Sequence, residues 1–118
     1  MTAQKSDVSA YWDARPCVDG LTEAERGSQR YFVEVEEAKN QLEPYVHSFA
    51  EFSAWAGREV LEVGCGLGTD AARFARGGAR ITAVDLTEVA VELTRAHIAS
   101  EGLGCRPRIR MARCGAGT

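Results

Sequence analysis

The chain of 118 residues has little with which to bind a soft metal: four cysteines, Cys17, Cys65, Cys105 and Cys114, and two histidines, His47 and His97. No CxxC and no His-x-Cys spacing occurs among them, so no metal site is expected from motif spacing. The first residues, MTAQKSDVS, lack the basic start and apolar run of a secretory leader. The expectation is therefore a cytoplasmic protein with reduced thiols and no disulfide framework. Apolar runs are only a few residues long, far from the roughly 20 that cross a bilayer, and no membrane is expected as partner. There is no strong excess of either charge, with Lys+Arg 14 against Asp+Glu 17 and a net charge of −3. A broad basic surface for nucleic acid is thereby excluded. Internal repeats and low-complexity segments are absent.

Hydrophobic residues make up 45% of the chain, an ordinary share for a globular fold, and the length suits one small domain. Carboxylates end at Glu101, whereas Arg106, Arg108, Arg110 and Arg113 crowd the last residues. Residues 1–103 carry a net −7 and residues 104–118 a net +4. The pattern divides the chain into an N-terminal tail and helical cap over 1–57, a βαβα unit over 58–103 and an atypical Arg/Gly/Cys tail over 104–118.

In the cap, Tyr11-Trp12-Asp13 precedes a turn-like Pro16–Gly20. Tyr11 and Trp12 suit either a lid over a ligand or an anchor packed on the domain. Ser28 is placed to cap a helix whose apolar positions Tyr31, Phe32, Val35, Ala38 and Leu42 recur at helical spacing. Pro44 ends it and opens a second helix with Tyr45, Phe49 and Phe52 on one stripe. His47, on a surface helix with no nucleophile near it, and His97, in the middle of a helix, read as bystanders despite their titration near neutrality.

From Glu59 the periodicity switches. Glu59–Val63 reads as a strand that runs into Gly64-Cys65-Gly66-Leu67-Gly68. Thr69 is the expected N-cap of a short helix that buries Ala71, Ala72, Phe74 and Ala75. Arg80–Val84 reads as a second strand ending at Asp85. Thr87 caps a third helix carrying Val89, Leu93 and Ala96 and closing at Gly102. Strand, glycine turn, helix, strand, helix implies an α/β fold with a parallel sheet.

Closely spaced glycines after a strand let the backbone approach a ligand, and an acid at the end of the next strand can accept from ribose hydroxyls. Gly66-x-Gly68-x-x-Ala71 also satisfies a dinucleotide pattern, so a nicotinamide-binding protein is an alternative. Charge argues against it. Asp70 in the first helical turn opposes a phosphate, and Glu62, Asp70 and Asp85 ring the loop. That ring suits a cationic ligand with an ammonium and no phosphate, which describes S-adenosylmethionine.

Val60-Leu61-Glu62-Val63-Gly64-Cys65-Gly66-Leu67-Gly68-Thr69 resembles motif I of the class I S-adenosylmethionine-dependent methyltransferases. Ala83-Val84-Asp85-Leu86-Thr87 resembles their second motif, and Tyr11–Cys17 is similar to the leader of some bacterial members. The resemblance implies a Rossmann-like parallel sheet with the cofactor on its first half. It implies that Gly64, Cys65, Gly66 and Gly68 pass close to the methionine part and that Glu62 lies near the ammonium. Asp85 then holds the ribose and Leu86 flanks the adenine. For Glu62 a solvent-facing strand end, and for Asp85 an Asx-turn before Thr87, are the structural alternatives.

A doubly wound sheet needs two halves, and residues 59–118 supply one at most. The family pattern stops near residue 104, where Cys105–Ala112 occupies the place of a third strand with only Ile109 and Met111 apolar. The expectation is an incomplete fold, from a truncated or frame-shifted chain, whose first strand presents an unpaired apolar edge open to self-association. The implied acceptor is a small molecule. No catalytic residue is identified, since segments that select the acceptor are not recognisable, and a non-catalytic cofactor-binding fragment is the second reading.

Overall fold

Three strands of alternating burial pair in parallel. The computed structural model describes residues 19–112. Helix α1 (Gln29–Leu42) and the single-turn α2 (Val46–Ala50) are followed by a 3-10 turn, Phe52–Trp55. Strand β1 (Glu59–Val63), helix α3 (Thr69–Arg76), strand β2 (Arg80–Asp85), helix α4 (Glu88–Ser100) and strand β3 (Arg108–Met111) complete the fold. Strand order is β1-β2-β3, with Val60 beside Ile81 and Ala83 beside Ile109.

That register separates the two faces of the sheet. Ile81, Ala83 and Ile109 share one face and are buried with Ala71, Ala72 and Ala75 of α3 and Val91 and Ile98 of α4. Alternate residues point the other way. Leu61 and Val63 there are 63% and 75% exposed, and Arg108 and Arg110 are exposed as well. Both helices thus cover the same face. Among the described residues β1 pairs only with β2, so its outer edge is unpaired, as expected.

A second core joins the helical cap to the α/β unit. Tyr31, Phe32 and Val35 of α1 pack with Leu67 of the glycine loop and Leu93 of α4. Ser28 caps α1 by accepting from the Tyr31 N–H at 3.2 Å, and Thr87 caps α4 by accepting from the Ala90 N–H at 3.1 Å. Both caps match the sequence reading.

Three local expectations differ from what forms. The stripe Tyr45–Phe49–Phe52 does not bury as one face, because Glu51 adopts φ 49° and breaks the helix. Phe52 alone turns inward, edge-on to Phe74 at 4.8 Å, while Phe49 stays 87% exposed. Thr69 is the first residue of α3 rather than its cap; Gly68, at φ 84°, takes the N-cap position. The region expected as an atypical tail in place of a third strand supplies β3. Ile109, buried between exposed Arg108 and Arg110, gives the alternation a one-sided strand needs. Tyr11, Trp12 and Cys17, and the residues after Ala112, lie outside the described residues.

Gly68 is the most constrained position in the loop. A Cβ there would sit 2.8–3.0 Å from Thr94 of α4, at a backbone angle that L-residues rarely adopt. Gly68→Ala is expected to destabilise the fold by about 2–4 kcal/mol, from overpacking and the left-handed backbone together. A urea unfolding midpoint equal to that of the wild-type chain would contradict this.

Candidate functional site

The C-terminal ends of β1 and β2 open into a cavity of about 620 Å³, floored by the glycine loop and walled on one side by α1 through Lys39. This size falls within the roughly 300–1,000 Å³ of small-molecule clefts. Parallel sheets bind ligands at this end, where the strands hand over to loops.

Asp85 ties the loops together. Its Oδ2 accepts from the Gly66 N–H at 3.0 Å, and its Oδ1 accepts from the Thr87 N–H at 3.1 Å. The second contact is the Asx-turn that the sequence offered as the structural alternative for this residue. The first adds a clasp across the loop after β1, so one carboxylate fixes both strand ends while still facing the cavity.

Glu62 stands at the last inward-facing position of β1. Its Oε2 is shielded from solvent and has no hydrogen-bond partner, which rules out the solvent-facing alternative. Burial, reinforced by the negative charge of Asp70, pushes its pKa up to about 8, against the opposing pull of Lys39. Thr69 Oγ1 is likewise buried without a partner, and both residues line the cavity. Among the described residues these two are the orphaned buried side-chain polar atoms. Their location is informative, because native interiors rarely leave such atoms unsatisfied away from sites of function.

The sequence placed Glu62, Gly64, Cys65, Gly66, Gly68, Asp85 and Leu86 around one ligand, and six of these seven line the cavity. Gly68 does not. It faces Thr94, so its lack of a Cβ serves the packing of the loop on α4 and not approach to a ligand. Gly64 and Gly66, at φ 77° and 58°, have open space where a Cβ would project. Cys65 is buried and accepts from Thr94 Oγ1 at 3.2 Å, and burial pushes its thiol up to about 11, so it is an unreactive wall.

Sequence reasoning missed Lys39. It lies one helical turn beyond the buried Val35, and that spacing was the available signal that α1 turns it inward. His47 is exposed on α2, consistent with a bystander. His97 is buried, and its ring stacks on Phe32 at 4.3 Å.

Part of the chain is similar to known proteins. A family model described as "Methyltransferase domain" matches residues 60–116, just under half of the chain. The ubiquinone biosynthesis O-methyltransferase of Actinobacillus pleuropneumoniae is 43% identical over 47 residues, covering 40% of this chain and 20% of that protein. The mitochondrial ubiquinone biosynthesis O-methyltransferase of Schizosaccharomyces pombe is 39% identical over 49 residues, covering 42% of this chain and 18% of that protein. The matched stretch thus spans about a fifth of these curated relatives. The crystal structure of the [4+2]-cyclase SpnF superposes with a TM-score of 0.53 at 22% identity, over 100% of this chain and 45% of that one, and shares its fold.

The buried Glu62 sets a pH dependence. Its folded pKa of about 8 lies above the ordinary 4.5, so between those values the folded chain holds a proton that the unfolded chain has released. Stability from this group therefore falls as pH rises through that window. Glu62→Gln, neutral throughout, is expected to flatten the fall; equal slopes of unfolding free energy for variant and wild type between about pH 5 and about pH 8 would refute it.

Proposed function

We propose, on the premise that residues 60–116 carry a class I methyltransferase segment, that the cavity binds S-adenosylmethionine and serves methyl transfer to a small-molecule acceptor. The observation that carries this reading is the pair of orphaned polar atoms, Glu62 Oε2 and Thr69 Oγ1, in a cavity whose other carboxylates are Asp70 and Asp85. Such a lining attracts a cation and repels a pyrophosphate. An ammonium near Glu62 supplies the missing partner and draws its carboxyl into the charged form.

The remaining residues divide the cofactor between them. Asp85, held by Gly66 and Thr87, presents a fixed acceptor to the ribose hydroxyls. Leu86 and Val89 offer apolar surface to the adenine. Lys39 answers the carboxylate of the methionine part, on the opposite side of the charge balance from Glu62. Gly64 and Gly66 leave the space that side chains would fill.

When bound, S-adenosylmethionine supplies a methyl group already activated by its sulfonium, for in-line displacement by an acceptor atom. The protein's part is to hold that geometry and exclude water, and these residues do so without serving as nucleophile or base. Acceptor selection belongs to segments beyond those described here. The relatives that match act, by their names, as O-methyltransferases in ubiquinone biosynthesis, and an oxygen acceptor is the reading they favour for this chain. A cytoplasmic setting accords with the described helices, none of which is long and apolar enough to cross a membrane. Neither nucleic acid nor a membrane surface is among the proposed partners. The open edge of β1, with Leu61 and Val63 exposed beside it, supports association of the 118-residue chain with a second copy.

Isothermal calorimetry tests the reading. S-adenosylmethionine is expected to bind one-to-one, with proton release at about pH 7 that Glu62→Gln abolishes, and Asp85→Ala is expected to weaken binding at least tenfold. Binding of NAD in preference would overturn the proposal in favour of a nicotinamide site. For self-association, light scattering is expected to show oligomers that Val63→Lys reduces; a monodisperse wild-type monomer would refute it.

A further inference from the structure

We propose that Glu36, His97 and Glu101 form a second site, which binds a divalent cation of the zinc class between α1 and the end of α4. The three line a cleft of about 280 Å³ that shares no lining residue with the cofactor cavity. The inference stands independently of the proposed methyl-transfer function.

One ring nitrogen of His97 and one carboxylate oxygen from each glutamate lie within 4.8 Å of one another. Zinc bonds of about 2.0–2.2 Å put tetrahedral ligand atoms about 3.4 Å apart, a closure that two glutamate side chains can make by small torsional changes. His97, in the last turn of α4, and Glu101, its C-cap, are four residues apart, the spacing of one helical turn. Glu36 meets them from α1.

His97 is independently prepared as a ligand. Its side chain is 1% exposed, and Nδ1 lies 3.0 Å from the carbonyl oxygen of Leu67. A carbonyl only accepts, so Nδ1 carries the hydrogen and Nε2 keeps its lone pair. Metal-binding histidines characteristically donate their other N–H to such a carbonyl, which fixes tautomer and ring orientation. Stacking on Phe32, with the rings 13° from parallel, fixes the plane further.

A cation already occupies this place. Arg76 donates to both oxygens of each carboxylate, to Glu36 Oε1 at 2.8 Å and Oε2 at 3.2 Å and to Glu101 Oε2 at 3.1 Å and Oε1, and its side chain is 45% exposed. Arg73 shares Glu36 Oε2 with Arg76, donating to it at 3.0 Å, and orients it. A dication that also takes the imidazole lone pair replaces Arg76, whose side chain turns out to water. Ligand types support an ion that accepts mixed oxygen and nitrogen donors, zinc first among them.

Zinc titrated calorimetrically into the full chain is expected to bind saturably at one equivalent. Arg76→Gln, which frees Glu101 and leaves Glu36 held by Arg73 alone, is expected to tighten binding at least tenfold. Glu101→Gln, at the helix end, is expected to weaken it at least tenfold while circular dichroism shows an unchanged fold. His97 imidazole resonances are expected to shift on zinc addition, a readout that needs no substitution in the core. Absence of saturable binding to the wild-type chain, affinity unchanged in Arg76→Gln or Glu101→Gln, or unmoved His97 resonances would each overturn the assignment.

Discussion

The clasp of Asp85 on the Gly66 and Thr87 amides is the interaction on which the arrangement of the site depends. Parallel strands end side by side, and beyond the Gly64 and Cys65 amides, which both donate to the Val84 carbonyl, the loop that leaves β1 has left the sheet ladder. One carboxylate with two acceptor oxygens meets that need on both sides: it closes the turn into α4 and anchors the loop that leaves β1. Leu67 can then enter the core between α1 and α4, and Gly68 can press against Thr94. The cavity is the space these constraints leave open.

Electrostatics of the cavity follow from what its acids are offered. Asp85 has two backbone donors, and Asp70 pairs with Arg73 Nη1 at 2.9 Å. Glu62, buried one strand residue before the loop, has neither, and its carboxyl is driven toward the protonated form. The unsatisfied group therefore lines the cavity, and its burial costs stability while it has no partner.

The helical cap does more than cover the α/β unit. Through Tyr31, Phe32 and Val35 it fills the core beside the glycine loop, through Glu36 it joins the Arg73 and Arg76 network, and through Lys39 it reaches the cavity. These roles fall on successive turns of one helix, so displacing α1 would alter the packing, the ion pairs and the site together. The sheet face bearing Leu61 and Val63 has no such cover among the described residues.

Much of this was legible from residue order. The β1-loop-α3-β2-α4 succession and the caps Ser28 and Thr87 follow from local periodicity and capping chemistry, which act within a few residues, and the convergence of Glu62, Gly64, Gly66, Asp85 and Leu86 follows from the resemblance of their two motifs to a known family. What residue order left open depended on contacts between distant segments. Gly68 is a packing glycine only because Thr94 approaches it, Lys39 is a site residue only because α1 docks, and His97 is a buried, oriented ring only because Phe32 and the Leu67 carbonyl meet it. Local sequence determined most of the elements from α1 to α4 and where their charges lie, while β3 and the break at Glu51 were not among them. Tertiary packing decided which of those charges lose water and which find a partner, because desolvation depends on neighbours remote in the chain.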